Sequence, residues 1–346
     1  MGEGLKVLVV SSTALRTPPK SYGGLEAVAY QSALYLHRHG YEVTLAAATL
    51  PGAYYPFNVI ELPPGSPPDY EQPLDLITEK DVKSFDLIID HSHSHRVGIK
   101  ANSLGVKSMC IHHDLMPGAL GCTAHYAVSR AHASYFESIA GVKAGVIYDM
   151  VDTSDIRPSK KEPILLWVGR VNKGLTNWLR WVKSFREEYK GEVTPVVIGD
   201  DSYMAGVNID QMREIKRLVE ETNAIYYGLT DRKTLTYYLG KAVATYSAFL
   251  PGYIEVFGMW AVEAMAANSI PLAPHQDVLR EMLLGYFESK GLPSPPFRLG
   301  DISLITRRAL ESPFEDLFPY AKRFLPDVIG KSYEEEIMKL ARLPSS

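Results

Sequence analysis

Leu250–Pro274 reads LPGYIEVFGMWAVEAMAANSIPLAP, and its reading decides the rest of the chain. Between Val256 and Ala267 the run is apolar and helix-compatible, with Glu263 as its one polar side chain. A helix that is apolar all round is a buried helix, and a carboxylate inside it is costly without hydrogen-bond partners. Glu255 stands eight residues earlier, in the loop that feeds this helix. Gly258 permits a tight turn that exposes the unpaired N–H groups of a first helical turn, and Asn268 suits the left-handed residue that closes a helix. IPLAP then reads as a short buried strand. Two carboxylates around a helix start are expected to face a ligand rich in hydroxyls.

Outward from this stretch, strands and helices alternate. Lys6–Ser11 (KVLVVS) is a continuous apolar strand of the kind buried in parallel sheets, and Gly24 opens an amphipathic helix that ends at Gly40. YEVTLAAAT, FNVIEL, FDLIID, KSMCIHH and AHYAVS are further strands, and SRAHASYFESIA is a helix. Residues 148–163, polar and Pro-containing, read as a connection between domains. A second alternation follows: EPILLWVGR, TPVVIGD, AIYYG and AVATYS as strands, with helices between them. FPYAKRFLPDVIG and SYEEEIMKLARL read as closing helices. The pattern predicts an α/β protein with two doubly wound, Rossmann-like domains facing across a cleft, ligands binding beyond the carboxyl ends of the strands. The expected division is 1–150, 151–320 and a helical tail, 321–346.

Composition narrows the function classes. The chain has 346 residues, 46% hydrophobic and 22% charged, with a net charge of −4, which is a soluble globular profile without the basic footprint of a nucleic-acid binder. No apolar run approaches the roughly 18 residues that span a bilayer, and the N-terminal strand does not read as a signal peptide. Two cysteines, Cys110 and Cys122, cannot build a disulfide framework, so a reduced cytoplasmic setting is expected. Few glutamines against 23 prolines point toward a thermophilic or archaeal source.

Several loops carry residues suited to chemistry. SYGGLEAV places Gly23 and Gly24 before a helix, either as a simple glycine turn or as a phosphate-approach loop; the spacing is not that of a dinucleotide fingerprint. In VGRVNKGL, Arg170 and Lys173 follow an apolar strand and are either solvated cations or partners of a diphosphate. His91, His93 and His95 alternate in DHSHSHRVG, yet no fourth ligand stands nearby, and a metal site is not expected. CIHHDLMPG ends a strand with His112, His113 and Asp114, where a histidine can donate to a substrate hydroxyl or serve structure alone. Hydrolase, P-loop and zincin motifs are missing.

With these residues in view, the chain resembles glycosyltransferase family 4, the retaining sugar-nucleotide transferases of GT-B fold. EVFGMWAVE matches the family's Glu-x7-Glu motif, GRVNKG its Gly-Arg…Lys-Gly loop, IHHD its His-Asp strand end, and YGGLE its first glycine loop. The chain departs from the family at Val256, where Gly is usual, at Asn268, at Asp149-Met150 and in a shorter Arg-to-Lys spacing. The resemblance implies that Arg170 and Lys173 hold a donor diphosphate and that Glu263 accepts from the ribose diol. It also implies that Glu255, with Val256, Phe257 and Gly258, meets the transferred sugar. Gly23 and Gly24 would approach the phosphates, His113 would reach the sugar near the reacting carbon, and the last helices would return to the N-terminal domain. The implied reaction moves a sugar from a nucleoside-diphosphate donor to a hydroxyl of a sugar, small-molecule or lipid-linked acceptor, with no metal or other cofactor. Peripheral contact with the inner membrane face goes with the lipid-linked case. A nucleotide-sugar 2-epimerase and a non-catalytic nucleotide-sugar binding protein share the same architecture and stay open.

Overall fold

A computed structural model describes residues 4–21, 23–115, 119–199 and 208–341. Tyr22 of the first glycine loop, Met116–Gly118 of the IHHDLMPG turn, Asp200 of TPVVIGD and the last two residues of SYEEEIMKLARL lie outside them. The chain divides into two units, Met1–Asp152 with Phe324–Ser346, and Thr153–Arg323.

In the first unit the elements run β1 (Lys6–Val10), α1 (Gly24–Arg38), β2 (Glu42–Ala47), β3 (Asn58–Glu61), α2 (Glu79–Val82), β4 (Leu87–Asp90), α3 (Arg96–Ser103), β5 (Lys107–His112), β6 (Ala124–Ala127), α4 (Arg130–Ala140) and β7 (Gly145–Val146). The sheet order is β3-β2-β1-β4-β5-β6-β7, parallel throughout. Val7–Val10 and Ile88–Ile89 are fully buried, as a strand covered on both faces requires. One face packs Leu8, Val10 and Ile88 against Val97 and Ala101 of α3. Each such aliphatic side chain contributes about 1.5–3 kcal/mol when fully buried. The order reverses between β1 and β4, which makes the carboxyl ends of those strands the switch point of this sheet.

The second unit runs β8 (Glu162–Val168), α5 (Leu175–Glu188), β9 (Thr194–Ile198), α6 (Ile209–Thr222), β10 (Ile225–Gly228), α7 (Arg232–Lys241), β11 (Ala242–Tyr246), α8 (Met259–Ala266), β12 (Ile270–Leu272), α9 (Asp277–Leu283), α10 (Tyr286–Ser289), α11 (Leu299–Glu311) and α12 (Phe318–Ala321). Its parallel sheet has the order β10-β9-β8-β11-β12, so the switch point lies between β8 and β11. An aromatic cluster supports the loops that leave these two strands. Trp167 and Trp178 have ring centroids 5.8 Å apart, Trp178 and Tyr246 5.6 Å, and Trp181 and Phe249 5.8 Å. Tyr246 shares a buried 2.7 Å hydrogen bond with Thr306 of α11.

The tail departs from the expected pair of helices. A turn at Lys322–Phe324 splits the first predicted segment: its start is α12, and its end joins the second segment in one long helix, α13 (Pro326–Ala341). Pro326 accounts for the break, since proline suits a first helical turn and cannot continue a preceding helix. α13 packs on α1 in the first unit: Tyr35 donates to Glu334 at 2.9 Å, and a Cβ on Gly330 would come within 2.3 Å of the Tyr35 ring. Tyr126 of β6 donates to Glu336 at 2.9 Å. Among the described residues no helix is long and apolar enough to cross a membrane.

Candidate functional site

The loops at the β8/β11 switch point are shaped by three glycines. β8 runs into Gly169 (φ 133°), Arg170 begins a short 3-10 turn over Val171–Lys173, and Gly174 (φ 105°) starts α5. A Cβ on Gly169 would meet the Ser247 hydroxyl at 2.8 Å, and one on Gly174 would lie 2.2 Å from the Leu250 backbone nitrogen. The loops therefore interlock backbone to backbone, fastened by Leu250 N–H donating to the Lys173 carbonyl at 3.0 Å. Gly174→Ala combines this clash with a backbone region that L-residues avoid. Its expected cost is about 2–5 kcal/mol, read as a loss in chemical denaturation; an unchanged midpoint would refute the close approach.

Lys173 reaches the carboxylate of Glu255 at 2.9 Å, and both side chains are largely buried. The same carboxylate oxygen faces Trp260 Nε1 at 3.4 Å, and the Lys173 ammonium stands 5.2 Å from the centre of the Tyr253 ring. Gln276 fixes the loop: its side-chain oxygen accepts from Glu255 N–H at 2.8 Å, and its amide donates to the carbonyls of Tyr253 and Pro274. Glu255 is thus not an unpartnered acid at a helix start, as its place in the sequence suggests. It is the counter-charge of Lys173.

The predicted helix from Val256 is shorter than expected. Gly258, at φ 86°, breaks the run, and α8 starts at Met259. The C-terminal end matches its reading: Asn268 takes φ 54°, its N–H donates to Met265 and that of Ser269 to Ala264, the two bonds of a Schellman closure. Every residue from Trp260 to Ala266 is buried except Glu263. Arg232 of α7 binds the Glu263 carboxylate and reaches back to Asp155 with two further bonds of 2.8 and 2.9 Å. That triad answers the cost of a carboxylate in an apolar helix from within the protein. Phe257 is core, and Val256 is half-buried in the loop.

In the first unit the switch-point loops hold a histidine cluster. Gly23 (φ 146°) precedes α1, which Gly24 begins. A Cβ on Gly23 would sit 2.7 Å from Pro19 and 3.0 Å from the carboxylate of Glu26, whose burial raises its pKa. His113 has its ring nitrogens turned inward: Nε2 is 3.0 Å from His91 Nδ1, and Nδ1 is 3.3 Å from Asp149 Oδ1 without hydrogen-bond geometry. His91 Nε2 in turn meets Ser32 of α1 at 3.2 Å.

His91, His93 and His95 do not converge, because β4 ends at Asp90 and they lie on a turn rather than one strand face. His93 pairs with Asp114, while His95 Nε2 faces His112 Nδ1 at 3.1 Å. Burial opposes charge on His93, but the hydrogen bond and charge of Asp114 outweigh it and push its pKa up to about 9. Glu71, not expected from the sequence, fastens the turn by accepting from the backbone N–H groups of His93 and Ser94 at 2.9 and 2.8 Å. A second departure concerns the cysteines. Cys110 and Cys122 are joined in a disulfide with Cα atoms 6.1 Å apart, against the expectation of free thiols, because the β5–β6 connection folds the Cys122 loop back onto β5.

No protein-family model matches the chain, and no curated protein matches it by sequence. Solved structures do match. AviGT4, a glycosyltransferase involved in avilamycin A biosynthesis, superposes at a TM-score of 0.72 with 19% identity over 97% of this chain and 98% of its own. The sucrose-phosphate synthase of Thermosynechococcus elongatus gives 0.70 at 18% identity over 98% and 99%. Anabaena HepE, solved with UDP and glucose, gives 0.70 at 15% over 96% and 99%. The fold is GT-B. In a GT-B chain both Rossmann-like units present switch-point loops, and here each set carries the titratable residues just described.

Proposed function

We propose that this chain is a glycosyltransferase that moves a sugar from a nucleoside-diphosphate donor to an acceptor hydroxyl with retention of anomeric configuration, as in glycosyltransferase family 4. The observation that carries the reading is the β8/β11 switch point, where Arg170 and Lys173 share interlocked, glycine-shaped loops with Glu255. Departure of the diphosphate develops negative charge, and preorganised cations there stabilise it without reorganisation. In this reading Arg170 and Lys173 supply that charge with no metal, and Glu255, beside Phe257 and Gly258, meets sugar hydroxyls while steering the Lys173 ammonium. Glu263 accepts from the ribose diol on Oε2, the carboxylate oxygen opposite the one that Arg232 binds. In the first unit, Gly23 and Gly24 offer a close backbone, and His113 exchanges an internal neighbour for a sugar hydroxyl. The leaving phosphate takes the acceptor proton in a front-face displacement.

The structural neighbours support the donor class, since HepE was solved with UDP and starch synthase IV of Arabidopsis thaliana with ADP and acarbose. The acceptor is a sugar, small-molecule or lipid-linked hydroxyl, and a cytoplasmic setting, with peripheral membrane contact for a lipid carrier, follows from the donor. A thermal-shift screen against nucleotide sugars tests the reading directly. A true donor at a hundredfold excess over its Kd should stabilise the protein by about 2.7 kcal/mol. Transfer is then read by product analysis with and without acceptor. Epimerised sugar from donor alone would favour a 2-epimerase, and binding without turnover a nucleotide-sugar binding protein.

A further inference from the structure

The first unit gathers a second set of chemical groups that the transfer reading does not use. Cys110 on β5, Cys122 in the loop before β6 and His125 on β6 bring two sulfurs and a ring nitrogen within 4.8 Å of one another. The β5–β6 register sets Cys110 opposite His125. α3 makes room for them: a Cβ on Gly98 in its first turn would meet Cys110 Sγ at 2.8 Å and Cys122 Sγ at 3.0 Å. The positive end of that helix therefore lies against both sulfurs, an environment that favours thiolates.

A disulfide alone gives no reason for the hydrogen-bond chain behind His125. His125 Nδ1 lies 2.9 Å from His112 Nε2, His112 Nδ1 lies 3.1 Å from His95 Nε2, and His95 Nδ1 faces Asp90 Oδ1 across 3.9 Å. Asp90 is fully buried and accepts from Ser92 N–H, Ser92 Oγ and Gly98 N–H. All three are donors to its oxygens, so the carboxylate serves as an acceptor throughout, the role of its ionised form. At 3.9 Å His95 Nδ1 makes no hydrogen bond to the carboxylate, but a proton on Nδ1 faces the negative charge more favourably than a lone pair would. The proton order then runs outward: His112 carries its proton on Nδ1 and His125 on Nδ1. His125 Nε2 is left with an unshared pair. Holding the far nitrogen of a histidine in a hydrogen bond, here His125 Nδ1 on His112, is how outer-shell partners orient histidine ligands at metals.

We propose that Cys110, Cys122 and His125 form, once reduced, a thiolate–imidazole site for a divalent cation of the zinc type. Two thiolates and one neutral imidazole match the ligand preference of that cation, with a fourth position left for water or an added ligand. Reduction comes first: a phosphine gives an electron pair to the Sγ–Sγ bond and, with oxygen from water, leaves as its oxide while two thiols form. Cation binding then releases both thiol protons to solvent. This assignment does not depend on the donor reading.

The full-length chain, reduced with a phosphine and freed of it, is titrated with cobalt. The expected result is about one equivalent bound per chain, with thiolate-to-cobalt charge-transfer bands and visible ligand-field bands that zinc abolishes. The oxidised chain should show neither. Cys122→Ser, which leaves one thiolate, should lower the charge-transfer intensity. His125→Gln, at a half-buried position chosen so that the fold survives, should weaken affinity by at least tenfold to a hundredfold, as ligand-shell changes do; circular dichroism checks that it remains folded. No cobalt–thiolate band in the reduced wild-type chain, or an unchanged spectrum and affinity in His125→Gln, would overturn the assignment.

Discussion

Replacing Arg170 with alanine is expected to lower sugar transfer by roughly 10²–10³-fold while leaving the thermal midpoint of the protein near its wild-type value. The size follows from what the side chain would do: one fixed donor aimed at charge that develops in the transition state contributes on that order. The intact fold follows from where the residue stands. Its neighbours are fixed by backbone contacts, with Lys173 N–H on the Arg170 carbonyl at 3.1 Å and Leu250 N–H on the Lys173 carbonyl at 3.0 Å. Gly169 and Gly174 set the path of the turn. Arg170→Lys should recover part of the loss, because the charge returns without the planar two-point donor. Steady-state transfer and nucleoside-diphosphate affinity measured on the same preparations decide the matter. Activity of Arg170→Ala within a few-fold of wild type would remove the phosphate role from this loop.

Much of the fold is legible in the sequence because parallel strands buried on both faces leave continuous apolar runs, such as KVLVVS and ILLWV, that need no knowledge of partners. The loops after β8 and β11 are legible for a related reason: glycine records a local backbone demand, and Gly169, Gly174 and Gly258 all adopt positive φ. What the sequence does not carry is side-chain pairing across long separations. Arg232 binds Glu263 from 31 positions away and Asp155 from 77, and nothing in DRKTLTYYLGK marks its one arginine as the partner of a buried carboxylate. The same holds for Gln276, Glu71 and Glu26, which look like ordinary surface residues until the fold buries them. Unpaired acidity in an apolar helix does signal that some partner exists. Glu263 led to a ligand as that partner, and the protein supplies Arg232 as well.

The His91–His93–His95 alternation carried no metal expectation, and the structure gives a further local reason: a period of two means one face only while the strand continues, and β4 stops at Asp90. The cysteines misled for a topological one. Their number argues against a disulfide framework, whereas the β5–β6 pairing returns Cys122 to β5 beside His125 and joins the two.

Glu255→Gln separates the two roles that Glu255 combines. The substitution keeps the shape and an acceptor oxygen but removes the charge that holds Lys173 at 2.9 Å. Breaking a buried ion pair by deleting one partner costs about 3–5 kcal/mol when the remaining charge has nowhere to go. Here the Lys173 ammonium keeps the Tyr253 ring beside it, and the glutamine oxygen still accepts, so the loss of stability should fall below that range. A bound diphosphate would meet a lysine no longer neutralised by its neighbour, so nucleoside-diphosphate affinity should hold or rise slightly. Transfer should instead drop by about 10–10²-fold, the worth of a charged hydrogen bond made in the transition state. The decisive quantity is therefore the ratio of the two effects, obtained from kcat/KM with a confirmed donor and from calorimetric Kd for the nucleotide alone. Equal losses in both would make Glu255 a scaffold for the phosphate loop, with no part in meeting the sugar.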